Sequence, residues 1–170
     1  MRTRAREESI EIAADPESVF DLIHDYKRRL EWDPFLKEAR LLDRDSACLG
    51  ATCRCTAKNS FGGMAMDAIY VSFDRPNVAA VKMVRGPRIL ESFAATLRQE
   101  PIAGNQTRVI YRYNFETKPT FLRFILNPIC SLFFASEVRN RLKRLKSFLE
   151  EASPPAARRP PPAPTAASRK

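Results

Sequence analysis

The stretch ESIEIAADPESVFDLI, residues 8–23, changes its periodicity in the middle. In residues 8–13 polar and apolar side chains alternate, which is typical of a half-buried β-strand. Asp15 is then a favourable N-cap, Pro16 suits the first turn of a helix, and the apolar residues that follow form a helical stripe. The stretch therefore predicts a strand followed directly by a helix that ends near Asp25.

The chain continues with a second short helix and then with strands. Residues 26–31 have a helical pattern, which must end at Trp32-Asp33-Pro34-Phe35 because proline disfavours helix in the residue before it. Six alternating segments follow, at residues 38–44, 49–58, 64–74, 77–85, 89–99 and 107–117. The turns between them are too short for crossovers, so neighbouring strands must be antiparallel. With the first strand they predict an α+β protein with a seven-stranded antiparallel sheet.

The C-terminal region, residues 120–151, has a helical pattern whose two halves differ. Proline removes a backbone donor, so we expect a break at Asn127-Pro128, with Asn127 as the N-cap of a second, long helix. The narrow apolar stripe of that helix should lie on the sheet; it consists of Val138, Leu142, Leu145 and Leu149. Residues 121–134 are apolar on all sides and need burial on several of them. Ordinary packing, the wall of an apolar cavity and a membrane surface all stay open as explanations, although the segment is too short to span a bilayer.

Strand parity indicates which side chains face this helix. The inward face of the last strand carries Val109, Tyr111, Tyr113 and Phe115. Inward positions on other strands are small, among them Cys53 and Cys55, which we interpret as small core residues. Charged strand residues such as Arg54 and Asp67 are expected in ladders on the outer surface. Small inward residues opposite a Phe-rich helix leave room for a cavity.

The predicted ligand-binding residues come from both sides of this cavity. They are Phe35, Val81, Met83, Phe93, Leu97, Tyr111, Tyr113, Ile125, Ile129, Leu132 and Phe133. In this set the two tyrosines would supply the few polar groups that orient a mostly apolar ligand. The prediction is therefore a largely apolar binding site between the sheet and the C-terminal helix.

The order of a strand, two short helices, six strands and a long helix resembles the helix-grip fold of the SRPBCC superfamily, which includes START and birch-pollen-allergen-like proteins. Residues 10–23, Trp32-Asp33-Pro34-Phe35 and Ala39-Arg40-Leu41-Leu42 are similar to its opening. The polyketide cyclase/dehydrase and coenzyme-Q-binding branches are most similar, through that opening and residues 107–113. The resemblance implies a curved sheet around the long C-terminal helix, with an apolar cavity used for carriage of lipids and quinones or, in some members, for ring closure.

The resemblance also divides the chain. Residues 1–6 would be an N-terminal extension, residues 7–151 the helix-grip ligand-binding domain, and residues 152–170 a basic tail rich in Pro and Ala. The tail has no large apolar residue that could offset the entropy of ordering, so we expect it to be disordered.

Catalytic constellations are not recognisable in the sequence. The single histidine, His24, is expected on the surface at the end of a short helix, and no nucleophile motif, phosphate loop or metal-ligand spacing can be identified. We therefore assign no catalytic residue, no metal site and no cofactor. The leading interpretation is non-catalytic binding or carriage of a lipid-like, quinone-like or polyketide-like molecule. A cofactor-independent cyclase or dehydratase in the same cavity and a peripheral membrane or protein-docking module are the alternatives.

Composition limits partners and compartment. The formal net charge is +9, of which the tail supplies four basic residues and no acid, and most of the remaining excess lies in the last helix. A solvated helix face explains that excess, so no nucleic-acid partner is predicted. Glu7 and Glu8 stand where a signal peptide would have its apolar core, so we expect a cytoplasmic protein with four free thiols. Transient membrane contact stays open, as does the oligomeric state.

Overall fold

The computed structural model describes residues 5–152, and over this range the predicted α+β order of elements is confirmed. The strands are β1 (Arg6–Ile12), β2 (Leu36–Leu41), β3 (Thr52–Ala57), β4 (Ala65–Asp74), β5 (Val78–Arg85), β6 (Leu90–Ile102) and β7 (Gln106–Thr117). The helices are α1 (Pro16–His24), α2 (Arg29–Trp32) and α3 (Arg123–Ala152), with 3₁₀ turns at Asn59–Phe61 and Thr120–Leu122. The predicted tail lies outside the described residues, apart from Ala152 at the end of α3.

The sheet is a curved antiparallel half-barrel in the order β1-β7-β6-β5-β4-β3-β2. Strands β2 to β7 follow one another as hairpins, and β1 adds to β7 with Ile10 opposite Val109. The chain therefore passes from one edge of the sheet to the other between β1 and β2. Helices α1 and α2 make this crossing.

The beginning of α1 follows the sequence prediction. A carboxylate oxygen of Asp15 accepts a hydrogen bond from the Ser18 amide at 2.8 Å, and Pro16 is the first helical residue. Such a cap stabilises a helix by about 1 kcal/mol. Helix α2 is shorter than predicted, because Asp25 accepts a bond from the Lys27 amide at 3.0 Å and so holds these residues in a turn.

The predicted break at Asn127-Pro128 is wrong, since α3 continues through Pro128. The helix starts at Arg123, so Pro128 lies in its second turn and removes a single hydrogen bond close to the N-terminus of the helix. Asn127 does not cap a helix. Its side-chain oxygen instead accepts a 2.7 Å bond from the hydroxyl of Thr117 and links α3 to the end of β7.

The C-terminal half of α3 lies on the sheet as predicted, with Val138, Leu142, Leu145 and Leu149 buried. Its other half does not have the burial on several sides that its composition suggested. One face is 45 to 75% exposed and consists of Phe121, Phe124, Ile125, Ile129 and Leu132, which we call the exposed apolar stripe. Within residues 5–152, α3 with its preceding turn is the one helix apolar and long enough to cross a membrane. Because half of it forms the domain core, we treat it as a core helix with one uncovered end.

Candidate ligand-binding cavity

A cavity of about 210 Å³ lies between the concave face of the sheet and α3. In this measure a single water needs only about 10 to 15 Å³, so the space exceeds that of an isolated buried water many times. The sheet contributes a wall of small side chains, namely Cys53, Cys55, Ala57, Ala68, Ala79 and Ala95. Phe133 and Phe134 of α3 close the opposite side, and Phe93 and Tyr111 add aromatic rings from the sheet.

The structure brings six of the predicted ligand-binding residues together around this cavity. They are Phe35, Val81, Phe93, Leu97, Tyr111 and Phe133. Five of these six residues are in or next to the sheet, where period-2 alternation fixes the direction of each side chain. The ring of Phe133 lies 6.1 Å from Phe35 and 6.0 Å from Phe61, so α3 closes the cavity through aromatic contacts.

The assignment of Ile125, Ile129 and Leu132 to the cavity wall is wrong. All three lie on the exposed apolar stripe, because the inner face of α3 is formed by other residues of the same helix. Cys130, Phe133, Phe134 and Glu137 line the cavity instead. Apolar residues surround the axis of this helical segment, so its sequence contained no polar face that could have indicated which side points inward.

Two inward strand residues also do not line the cavity. Tyr113 is 1% exposed and packs beside Phe134, with ring centres 6.2 Å apart, so it belongs to the packed core between β7 and α3. The side chain of Met83 folds over Gly86 at the turn after β5. Met83 keeps the predicted inward parity, opposite Ala68, but it packs against the hydrophobic core and is not part of the cavity lining.

One end of the cavity is strongly polar. Asp33, whose side chain has no exposed surface, accepts bonds through Oδ2 from Nε of Arg29 at 3.0 Å and from Nη2 of Arg141 at 2.7 Å. Burial by itself raises the pKa of Asp33, but the two guanidiniums outweigh it and hold that pKa below its usual value. All three groups are therefore charged at neutral pH. The expectation that the basic residues of the last helix are solvated is wrong for Arg141.

Both guanidiniums lie against aromatic rings. Arg29 stands over Trp32 at 4.5 Å from the ring centre, and Arg141 over Phe35 at 5.7 Å. Arg29 also donates to the backbone carbonyl of Ile23. These contacts fix the two side chains in place before any ligand enters.

The expectation of a surface role for His24 is wrong. Its ring is buried and lines the cavity, where Nδ1 lies 2.9 Å from the hydroxyl of Tyr70, which in turn lies 3.1 Å from the hydroxyl of Tyr26. Burial, reinforced by the nearby Arg29 guanidinium, lowers the pKa of His24 to about 3. The ring is therefore neutral at pH 7, and burial raises the pKa of Tyr70, so this chain of polar groups carries no charge there.

The inward thiols Cys53 and Cys55 also line the cavity. The Cys55 thiol donates toward the Cys53 sulfur and lowers the pKa of Cys53, while the pKa of Cys55 is raised. All four cysteines are free thiols in the structure. Within the described range there is no group of three or more side chains arranged to bind a metal ion. On the outer face, Arg54 and Asp67 form the predicted ladder, with two bonds of 2.7 Å.

Taken together, the helix-grip architecture and the internal cavity define the class, which is that of START-like proteins. Residues 4–150 match the model of a family described as polyketide cyclase / dehydrase and lipid transport, so the chain belongs to that family. No curated protein matches it in sequence.

Solved structures with the same fold come from bacteria and from a plant. A START superfamily protein from Mycobacterium smegmatis is 14% identical, with a TM-score of 0.76 over 89% of this chain and 100% of that one. The Zhui aromatase/cyclase of a Streptomyces species is also 14% identical, with a TM-score of 0.77 over 91% and 98%. A major latex-like protein from Panax ginseng is 11% identical, with a TM-score of 0.66 over 86% and 97%. At these identities the likeness concerns the fold alone.

Sequence reasoning missed the polar groups of the cavity. Arg29 and Asp33 are four residues apart, a spacing that allows an ion pair on one helical turn. Arg141 lies three residues after Val138 and one before Leu142, next to the buried stripe of α3. Tyr70 has the same strand parity as the inward Ala68. These local signals were present, but none of them by itself indicates that the groups meet in one cavity.

Proposed function

We propose that this protein binds and carries an apolar small molecule, of the lipid, quinone or polyketide type, in the cavity under α3. The observation that carries this proposal is the cavity wall, in which small aliphatic and thiol side chains face a cluster of phenylalanines. A void lined in this way lacks the packing contacts of a solid core, and an apolar ligand would supply them. The family description, which includes lipid transport, supports the same reading.

The exposed apolar stripe suggests where such a ligand is collected. Ile129 and Leu132 are directly adjacent in sequence to Cys130 and Phe133, which line the cavity from the same turns of α3. Exposed apolar residues that cluster on one helix face mark contact surfaces. We propose that this stripe touches a membrane from the cytoplasmic side, so that an apolar ligand reaches the cavity without crossing water.

Ligand content is tested by native mass spectrometry of protein purified from cells, followed by titration of the stripped protein with a neutral apolar fluorophore. Ala95→Leu fills the cavity from β6, whereas Ala94→Leu, on the opposite face of the same strand, is the matched control. The proposal expects at least tenfold weaker binding for Ala95→Leu and unchanged binding for Ala94→Leu. Equal affinity in both variants, or no binding by the unaltered protein, would contradict it.

Membrane contact is tested separately by sedimentation with phosphatidylcholine vesicles. Leu132→Ser and Phe124→Ser should release the protein from vesicles, because both side chains are about three quarters exposed and unpacked. Leu49→Ser, an exposed leucine in the loop before β3, serves as the control and should leave binding unchanged. The absence of any vesicle binding by the unaltered protein would remove the membrane step and leave the carrier proposal in place.

A cyclase or dehydratase is the second candidate, and one observation favours it. Glu137 lines the cavity with its Oε2 buried and without a partner among the described residues, and burial raises its pKa. A carboxylic acid in that position could donate a proton to a ligand oxygen. Glu137→Gln distinguishes the two functions: an enzyme would lose turnover of a poly-β-keto thioester at unchanged affinity, whereas a carrier has no turnover to lose.

A further inference from the structure

We propose that the ligand bears one anionic oxygen group, namely a carboxylate, and that Arg29 and Arg141 bind it at the polar end of the cavity. This inference rests on the proposed function, since it names the chemical class of the molecule that the cavity carries. The cavity would thus take an apolar acid with one charged end, rather than a neutral lipid or a quinone.

The charges at this end of the cavity favour an anionic ligand. The buried guanidinium of Arg29 and the largely buried one of Arg141 share one carboxylate, and both bind the same oxygen, Oδ2 of Asp33. The cluster of Arg29, Asp33 and Arg141 therefore has an excess of one positive charge in a place with little access to water. A buried charge is unfavourable unless an opposite charge accompanies it. A ligand carboxylate beside the two arginines would provide that charge.

Each of the two arginines also has a hydrogen-bond donor that is free to bind a ligand. Arg29 uses Nε for Asp33 and Nη1 for a backbone carbonyl, and Arg141 uses Nε and Nη2 for Asp33. Within residues 5–152 no acceptor is bonded to Nη2 of Arg29 or to Nη1 of Arg141. Both side chains line the cavity. Guanidinium N–H groups that are fixed in orientation match the two oxygens of a carboxylate.

The neighbouring acid does not occupy the free N–H groups of the two arginines. Glu137 is four residues before Arg141 on α3, a spacing that allows a helical ion pair, yet no oxygen of Glu137 lies within 4.0 Å of a basic nitrogen in the described part of the chain. Its Oε2 has no hydrogen-bond partner there. Burial raises the pKa of Glu137 and the charge of Arg141 acts against that rise, but Glu137 accepts no hydrogen bond from either arginine, so their free N–H groups stay available to a ligand.

The rest of the cavity fits the apolar part of such a molecule. Beyond the polar groups the lining is largely apolar: it includes Phe35, the small residues of β3 to β6 and Met64, which is 41% exposed and brings the lining to the surface. A single charged group at one end and an apolar body toward the surface would therefore satisfy both parts of the site. The size of about 210 Å³ favours a medium-length chain or a fused aromatic body.

The test compares three molecules that differ only in the head group: decanoate, methyl decanoate and 1-decanol. Each displaces the neutral fluorophore N-phenyl-1-naphthylamine from the full-length protein at pH 8. The inference expects decanoate to bind at least tenfold more tightly than the ester or the alcohol. Equal affinity for all three would overturn it and leave the carrier proposal intact, whereas no displacement by any of them would overturn both.

A variant then assigns the preference to the arginines. Arg141→Gln should reduce the preference for decanoate over its ester to less than about threefold while the affinity for the ester stays within about twofold. Arg139→Gln, which alters a mostly exposed arginine on the same helix, should keep the full preference. A preference that survives in Arg141→Gln would overturn the assignment. If Arg141→Gln does not fold, the three-ligand comparison on the unaltered protein decides the inference alone.

Discussion

Replacement of Asp33 by Asn should be among the most destabilising single changes in this domain. The Asp33 side chain has no exposed surface, and it accepts bonds from Arg29, from Arg141 and from the Phe35 amide. An amide of the same size keeps the shape but leaves two buried guanidiniums without a carboxylate. Loss of one partner from a buried ion pair costs about 3 to 5 kcal/mol of unfolding free energy.

Asp21 provides the matched control. It forms two bonds to Arg75, at 2.7 and 2.8 Å, but both side chains are about half exposed. Exposed pairs contribute about 0 to 1 kcal/mol, so Asp21→Asn should cost a few tenths to 1 kcal/mol. High salt should remove most of this smaller cost and leave the Asp33→Asn cost almost unchanged, because ions in solution do not reach the buried pair.

The measurement is urea unfolding followed by far-UV circular dichroism. Fluorescence is less suitable, because the single tryptophan, Trp32, is adjacent to Asp33 and would report the mutated site itself. The double variant Asp33→Asn, Arg141→Gln should regain part of the loss, since it removes one of the unpaired charges. A cost of 1 kcal/mol or less for Asp33→Asn would refute the reasoning: the cluster would then be well solvated, and the excess of positive charge would no longer favour an anionic ligand.

Three further predictions concern other parts of the domain. The pKa of His24 is about 3 in the folded protein, against an ordinary value near 6.5. Below pH 6.5 the unfolded chain therefore binds a proton that the buried ring does not. The free energy of unfolding should fall by up to about 1.4 kcal/mol per pH unit as the pH decreases from 6.5 toward 3. His24→Gln should flatten the pH dependence of the urea midpoint between pH 4.5 and 6.5, and an unchanged slope would exclude a buried neutral ring. Phe134→Ala should cost about 3 to 5 kcal/mol, since Phe134 packs 5.0 Å from Phe115 and 5.7 Å from Phe93. Both rings line the cavity, but Phe133 lacks the contacts of Phe134 with the buried Phe93 and Phe115, so Phe133→Ala should cost less stability and should have the larger effect on probe affinity. The reverse order in calorimetry and titration would place Phe133 in ordinary core. Deletion of residues 153–170 should leave the melting temperature unchanged, because that segment has no large apolar side chain to bury, and a large drop would mean that it docks on the domain.

The fold could be predicted because the deciding signals are local. The alternation in 107–117 fixed the face of each side chain of β7, and Asp15 with Pro16 fixed the start of α1. The break at Pro128 was wrong for a physical reason: the cost of one missing hydrogen bond is small next to that of dividing a helix whose second half is anchored on the sheet. The packing of α3 on the sheet therefore outweighs the tendency of proline to break a helix.

The cavity was predictable on the sheet side and only partly on the helix side. A strand residue faces either in or out, so the inward position of Val81 and Leu97 followed from parity alone. A helix that is apolar all round contains no such information. The ion cluster was out of reach because Arg141 meets Asp33 across 108 residues of chain, and a solvated arginine and a buried one have the same spacing on a helix. His24 was missed for the same reason, since its partner Tyr70 is 46 residues away.

The alanines of the cavity wall have a consequence for how ligand preference could change over generations. Four neighbouring strands, β3 to β6, each contribute one alanine methyl group to the cavity wall, from Ala57, Ala68, Ala79 and Ala95. In a filled core an added methylene strains its surroundings, but beside open space it only takes up part of that space. Substitutions at these positions can therefore reshape the volume available to the ligand one side chain at a time, while the backbone hydrogen bonds of the sheet and the arginine pair stay as they are. Sites of this kind allow the shape of the cavity to change without a loss of foldability.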